Sequence, residues 1–175
     1  DFYGIKTGDV VATFANPANF GAGNAWIFEV QDQVLQAGSQ VTVEFRAGQF
    51  FDLAALQCAL HFDPGTLSLL TFQALSGMPL SEANFGTWEL DEGIVRVVWS
   101  QSEGADIGEA AQAFSLTFQV LEGGSLLSEV LQLDETVLPA RAYSGVLEES
   151  AMQLQFSEVT TNAGSPSAIA NSGLL

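Results

Sequence analysis

The residues with the most reactive side chains each occur once in this sequence: one cysteine, Cys58, and one histidine, His61. A nucleophilic thiol needs a base beside it, and a metal site needs several ligands that converge. Both residues instead lie in a stretch that alternates apolar and polar positions, which is typical of a β-strand. We therefore expect Cys58 to be a buried, inert thiol and His61 to have a structural or surface role.

Carboxylates are abundant, and two of them facing across a cleft could hydrolyse a glycosidic bond. They cluster at Glu89 with Asp91 and Glu92, at Asp134–Glu135 and at Glu148–Glu149. Each cluster lies in a predicted turn or loop, where carboxylates mainly keep a chain soluble. We therefore predict no catalytic residues and no enzymatic activity.

Calcium needs six to eight oxygen ligands, often from a dense Asp/Asn loop. No such loop occurs here, although the loop carboxylates Asp91, Asp106 and Asp134 could bind calcium by chance assembly. A phosphate-binding P-loop and a dinucleotide-binding glycine turn are also missing from the sequence. The sequence therefore predicts no cofactor and no metal site, with calcium as the open alternative.

The charge balance limits the possible partners. Four Lys and Arg face 21 Asp and Glu, which gives a formal net charge of −17. Nucleic acids and anionic membrane surfaces both require basic patches, so we exclude them as partners. No run of 18 apolar residues is present, so we expect no membrane insertion. The acidic surface keeps the chain soluble, and it could also attract cations or a basic partner.

The elements that position these residues are predicted to be strands. Apolar residues make up 47% of the chain and alternate with polar ones in many short runs that Gly, Asn and Pro separate. This pattern predicts an all-β fold, an antiparallel β-sandwich of about nine strands with jelly-roll topology. Single helical turns are expected at 81–84 and 108–111. The predicted strands include Trp26–Val30, Val41–Phe45, Leu56–Phe62, Leu67–Ala74, Gly93–Ser100, Phe114–Val120, Val130–Leu133, Ala140–Leu147 and Met152–Phe156.

Three segments are predicted along the chain: an N-terminal extension 1–24, a β-sandwich 25–159 and a C-terminal tail 160–175. The extension contains Val10, Val11, Ala12, Thr13 and Phe14, a short β-prone run outside the main domain. Such a run can pair with an open sheet edge of another chain or of its own sandwich. We predict these five residues as the partner-binding site. Because the chain opens at Asp1 rather than Met, we interpret it as a mature product or an excised fragment.

Several stretches, in order, resemble a cohesin-type domain. They include Val41–Phe45, Phe51–Gln57, the corner Phe62-Asp63-Pro64-Gly65-Thr66-Leu67, Ala83–Gly86, Gly93–Ser100 and Phe114–Phe118. Within the corner, Asp63 is expected to bond the backbone N–H groups of the turn. The resemblance covers roughly residues 25–157. It implies a non-catalytic jelly-roll sandwich that docks a protein partner through a sheet face or edge.

Residues 2–10 resemble the last residues of a dockerin-like repeat, whose calcium loops are missing here. Such repeats precede cohesin-like domains in large bacterial surface proteins, so the resemblance implies an extracellular or cell-surface location. The leading hypothesis is an assembly or adhesion module that binds copies of itself, such as the subunit of a surface filament. The alternatives are a cohesin-like receptor or spacer that binds a different protein, and a carbohydrate-binding module.

The carbohydrate hypothesis depends on exposed aromatic side chains. The chain has three tryptophans, Trp26, Trp88 and Trp99. Trp26 and Trp99 occupy inward positions of their predicted strands. Only Trp88 is therefore a candidate for a surface that binds sugars.

Overall fold

The computed structural model describes residues 25–157; the predicted partner-binding residues Val10–Phe14 and the tail 160–175 lie outside them. Most of the described residues lie in strands, with one short α-helix and two 3₁₀ turns, Glu82–Asn84 and Leu90–Glu92. The elements are β1 Trp26–Gln31, β2 Gln40–Ala47, β3 Phe50–Phe62, β4 Leu67–Ala74, β5 Phe85–Glu89, β6 Ile94–Ile107, β7 Ala111–Val120, α1 Leu127–Val130, β8 Leu131–Leu133, β9 Arg141–Ser144 and β10 Glu149–Ser157.

The strands form two layers that share β10. One layer has the order β4-β7-β2-β1-β10, and the other has the order β10-β9-β3-β6-β5, with β8 paired to β3. This arrangement confirms the predicted all-β sandwich. It differs from the prediction in two details: the described residues form ten strands, and β1 pairs with β10 in parallel, with Trp26 opposite Met152 and Gln31 opposite Ser157.

The interior is a cluster of aromatic rings that joins the layers. Phe114 of β7 stacks on Phe45 of β2, with ring centroids 4.4 Å apart. Phe28 of β1 and Phe85 of β5 meet the Phe114 ring edge-on, each at 5.4 Å. These residues occupy alternate positions of their strands, so the period-two pattern of the sequence selects the face that is buried.

The corner between β3 and β4 is built as the sequence predicts. The Asp63 carboxylate accepts hydrogen bonds from the Gly65 N–H at 2.9 Å and the Thr66 hydroxyl at 2.7 Å. The Leu67 N–H donates to the Asp63 carbonyl oxygen at 2.9 Å. Asp63 therefore closes the turn with both its side chain and its backbone.

Two local predictions are corrected, and one strand was missed. Residues 108–111 form a turn that leads into β7 rather than a helical turn. The strand expected over Ala140–Leu147 ends at Ser144, because the chain turns there and Leu147 has a left-handed φ of 65°. β5 was not predicted.

Among residues 25–157, no helix is long and apolar enough to cross a bilayer.

Candidate interaction surfaces

The reactive side chains singled out in the sequence lie apart from one another. Cys58 is fully buried on the inner face of β3, and burial raises the pKa of its thiol to about 12. His61 is half-buried and, lying between the buried Leu60 and Phe62, points to the outer face of the same strand. A thiol held in its neutral form inside the core cannot act as a nucleophile or a metal ligand.

The carboxylates near His61 accept hydrogen bonds within the turns in which they lie. Asp134, like Asp63, accepts hydrogen bonds from residues that follow it, here the Thr136 N–H at 2.9 Å and hydroxyl at 2.6 Å. The hydrogen bond from the Thr66 hydroxyl lowers the pKa of Asp63, and the bond from the Thr136 hydroxyl lowers that of Asp134. Nearby His61 adds a weaker effect in the same direction. Both groups therefore hold turns together in the charged form.

These lowered pKa values predict a loss of stability in acid. A carboxylate with a lowered pKa in the folded state contributes stability above its unfolded pKa and loses it as the pH falls through the folded value. We expect the free energy of unfolding to decrease as the pH falls below 3.8, the ordinary carboxyl pKa. In urea titrations between neutral and acidic pH, the double variant Asp63→Asn/Asp134→Asn should be less stable at pH 7 and show a flatter acid dependence.

The matched control for that experiment is Asp91→Asn, an exposed carboxylate in the Leu90–Glu92 turn. It should change the unfolding free energy by less than about 0.5 kcal/mol. If the double variant kept the full acid dependence of the parent, Asp63 and Asp134 would not be its source.

One carboxylate of each cluster pairs with an arginine. Arg96 forms an ion pair with Glu89. Arg141 bridges Glu135 at 3.1 Å and Glu149 at 3.0 Å. The Asp106 carboxylate, a candidate calcium ligand, instead accepts a hydrogen bond from a backbone N–H in β3. Within residues 25–157, no group of three or more His, Cys, Asp or Glu is placed to hold a metal ion.

The tryptophans divide as predicted. Trp26 and Trp99 are buried, whereas Trp88 is 73% exposed. The Trp88 ring lies against Gly86, where an added Cβ would come within 2.3 Å of it, and the Arg96 guanidinium lies 5.2 Å from the ring centre. With the half-exposed Val98 of β6, these side chains form what we call the aromatic face, on the outer side of β5 and β6.

A second surface, which the sequence analysis missed, is an apolar tip at the start of β3 and the β9–β10 turn. Phe51, Val146 and Leu147 are 67%, 74% and 75% exposed. The Gly145 N–H donates to the Asp52 carbonyl oxygen at 2.8 Å, which fixes the two segments side by side. Clustered apolar side chains this exposed are typical of interaction sites. In the sequence these three residues look like ordinary apolar strand residues. Their exposure becomes visible only in the structure, where the turn at Gly145 brings the two segments together.

A third surface is a groove of about 760 Å³ where β1 and β2 diverge. We call it the β1–β2 groove. Most of its lining side chains are polar, and the inward-facing Val30 and Val43 also border it. The groove therefore reaches the strand edges themselves. Its lining residues are Glu29, Val30, Gln31, Gln33, Thr42, Val43, Glu44, Arg46, Gln155 and Ser157.

The sequence matches no protein-family model and no curated protein. The structure, however, is similar to solved cohesins. The sixth cohesin of scaffoldin B from Acetivibrio cellulolyticus, solved in complex with a Cel5 dockerin, is 12% identical with a TM-score of 0.60, over 75% of this chain and 95% of that one. A type I cohesin–dockerin complex from Clostridium thermocellum, Coh-OlpA-Doc918, gives 12% identity and 0.57, over 75% and 94%.

A type II cohesin from the cellulosome of Acetivibrio cellulolyticus is 14% identical, with a TM-score of 0.50 over 77% of this chain and 93% of that one. At such low identity the likeness is one of fold. It confirms the cohesin-like fold that the sequence resemblance implied.

Proposed function

We propose that this chain is a non-catalytic, extracellular module for protein–protein assembly, and that it acts as the self-assembling subunit of a bacterial surface filament. The cohesin-like fold supports a protein partner, because similar structures were solved in complex with dockerins. The acidic surface and the cell-surface context implied by the sequence resemblance are consistent with this role.

The observation that carries the proposal is the apolar tip. Leu147 holds a left-handed φ of 65°, a conformation that costs a non-glycine residue about 1–2 kcal/mol. Strained backbone of this kind concentrates at functional sites. Here it presents Val146 and Leu147 to solvent beside Phe51, where burial against a partner would remove a large apolar area from water.

The chemistry of the described residues supports a non-catalytic role. Cys58 is enclosed in the core, and Asp63 and Asp134 are occupied by turn hydrogen bonds. The arginines at 96 and 141 are paired with carboxylates. These groups stabilise the sandwich.

The second candidate is a cohesin-like receptor or spacer that binds a different protein. The aromatic face favours it, because an exposed tryptophan supported by an arginine and flanked by Val98 is a common anchor in protein interfaces. The dockerin-like residues 2–10, which would support a place in a longer surface protein, lie outside the described residues. Exposed Trp88 also keeps carbohydrate binding as a third candidate, and titration with polysaccharides while recording tryptophan fluorescence would test it.

Self-assembly is tested by sedimentation velocity of the full chain over a wide concentration range, with electron microscopy of the most concentrated samples. We expect concentration-dependent oligomers and helical fibres. The double variant Val146→Asp/Leu147→Asp should weaken association about tenfold or more, because it places two charges in the buried contact. Leu121→Asp, which alters an exposed leucine away from the tip, serves as the control. A particle that stays monomeric at every concentration would overturn the proposal.

A further inference from the structure

The β1–β2 groove exists because two neighbouring strands separate after a short contact. β1 and β2 pair only at Phe28–Ala47 and Glu29–Arg46. On its other side, β2 is paired with β7 from Gln40 to Ala47, and β1 is paired with β10 along its whole length. The edge of β2 from Gln40 to Phe45 therefore borders the groove without a strand partner among residues 25–157.

Hydrogen bonds between the end of β1 and the start of α1 keep β1 and β2 apart. Directly after β1, the Asp32 carboxylate accepts hydrogen bonds from the Ser128 hydroxyl at 2.6 Å and the Ser128 N–H at 3.1 Å, at the start of α1. The Leu127 N–H donates to the Gln33 carbonyl oxygen at 2.9 Å. The chain is thus drawn away from β2 towards α1, so the opening is part of the folded structure.

The register identifies the backbone groups that border the groove. In an antiparallel ladder, successive residues direct their N–H and C=O groups to opposite neighbours. The Gly48 N–H donates to the Ile27 carbonyl oxygen at 2.8 Å, so Gly48 and Arg46 face β1. By the same alternation, Thr42 and Glu44 direct their N–H and C=O groups into the groove. Unpaired groups of this kind bind an added strand.

We propose that the β1–β2 groove receives residues Val10–Phe14 of a second copy of this chain as an added strand, antiparallel to β2, with Thr13 opposite Thr42. This inference rests on the proposed self-assembly and names a second contact for it, separate from the apolar tip. The free edge of β2 is six residues long, from Gln40 to Phe45, and a strand of five residues fits along it.

The side chains of the two segments match in this register. Thr42 of β2 already contacts Thr117 of β7 through their hydroxyl oxygens, 3.0 Å apart, and Thr13 extends that row by one strand. Val10, Ala12 and Phe14 then face inward, next to the inward-facing β2 residues Val41, Val43 and Phe45.

The direction of the strand favours a second copy over the chain's own segment. A strand antiparallel to β2 is parallel to β1, because β1 and β2 are antiparallel. To fill its own groove, the chain would have to connect two parallel neighbours through the 11 residues from Ala15 to Ala25. Such crossovers usually need a dozen or more residues, whereas insertion into another copy has no such limit.

Disulfide trapping tests the contact in the full chain. Opposed residues that exchange both backbone hydrogen bonds in an antiparallel pair have Cα atoms about 5.5 Å apart, within the range of a disulfide. Native Cys58 does not interfere, since it is buried and its pKa is raised to about 12. One preparation carries Thr13→Cys, a second carries Thr42→Cys, and the two are mixed and oxidised mildly. The control replaces the second with Thr71→Cys, an exposed threonine on β4.

We expect the Thr13–Thr42 pair to yield about tenfold or more linked dimer than the control pair, because a bound strand holds the thiols at a high effective concentration. Ala12→Pro added to the Thr13→Cys chain should abolish the excess, since it interrupts the added strand outside the sandwich. Equal yields for both pairs, or an intrachain link in a chain carrying both cysteines, would overturn the proposal. If the chain still forms oligomers in either case, self-assembly stands and only the groove is wrong.

Discussion

Replacing Phe114 with alanine should lower the free energy of unfolding by about 3–5 kcal/mol, as is usual for a buried phenylalanine in a packed core. The Phe114 ring is fully buried and contacts three other phenylalanine rings from both layers, at 4.4 and 5.4 Å. Truncation leaves a cavity between the two layers. The surrounding rings cannot fill it without giving up their own packing contacts. In a thermal melt followed by circular dichroism, the midpoint should fall by about 10–20 °C.

The same substitution at Phe51 is the matched control for Phe114→Ala. Phe51 lies in the apolar tip and is 67% exposed, so Phe51→Ala should change the unfolding free energy by less than about 0.5 kcal/mol. It should instead reduce self-association, because it removes part of the tip. Equal melting temperatures for the two variants would show that the aromatic cluster is not the core of the fold.

Replacing Gly93 with alanine should have the second largest effect, a loss of about 3 kcal/mol or more, for two separate reasons. Gly93 lies directly before β6 and has a left-handed φ of 76°, and a Cβ there would lie 2.0 Å from the Phe62 carbonyl oxygen. The neighbouring backbone cannot move aside cheaply, because the Phe62 N–H donates to the Gly93 carbonyl oxygen at 2.8 Å. Urea denaturation of the purified variant measures the loss.

Two other glycines separate the two contributions at Gly93. Gly124 has a φ of 103° but open space around its Cα, so Gly124→Ala should cost only the backbone strain, about 1–2 kcal/mol. Gly108 has open space and φ outside the left-handed region, so Gly108→Ala should be neutral or slightly stabilising. An ordering other than Gly93, Gly124, Gly108 by decreasing loss would contradict this account.

The sequence predicted most of the strands because a half-buried strand carries its orientation in its own residues. Trp26, Phe28 and Val30 are buried in alternation, and so are Val41, Val43 and Phe45, as the pattern required. β5 was not predicted because its sequence, Phe-Gly-Thr-Trp-Glu, has only one buried residue and no alternating pattern. It lies at a sheet edge. An edge strand has a hydrogen-bonded neighbour on one side only.

The candidate surfaces depend on contacts between distant parts of the chain, which no local pattern encodes. The β1–β2 groove follows from the Asp32–Ser128 hydrogen bonds, which join residues 96 positions apart. The apolar tip follows from the bond between Asp52 and Gly145, 93 positions apart. The sequence predicted a protein-binding module and one candidate strand, but the place that could receive such a strand required the folded structure.

The parallel pairing of β1 with β10 has a mechanical consequence. Residues Trp26–Gln31 pair one to one with Met152–Ser157 and run in the same direction, so the chain enters the domain at one end of this ladder and leaves at the other. Tension applied to the two ends pulls the strands past each other and loads all of their rungs at once, whereas tension on an antiparallel hairpin opens its rungs one after another. If a subunit is joined to its neighbours near both ends, a stretching force is therefore resisted by all the hydrogen bonds between β1 and β10 together.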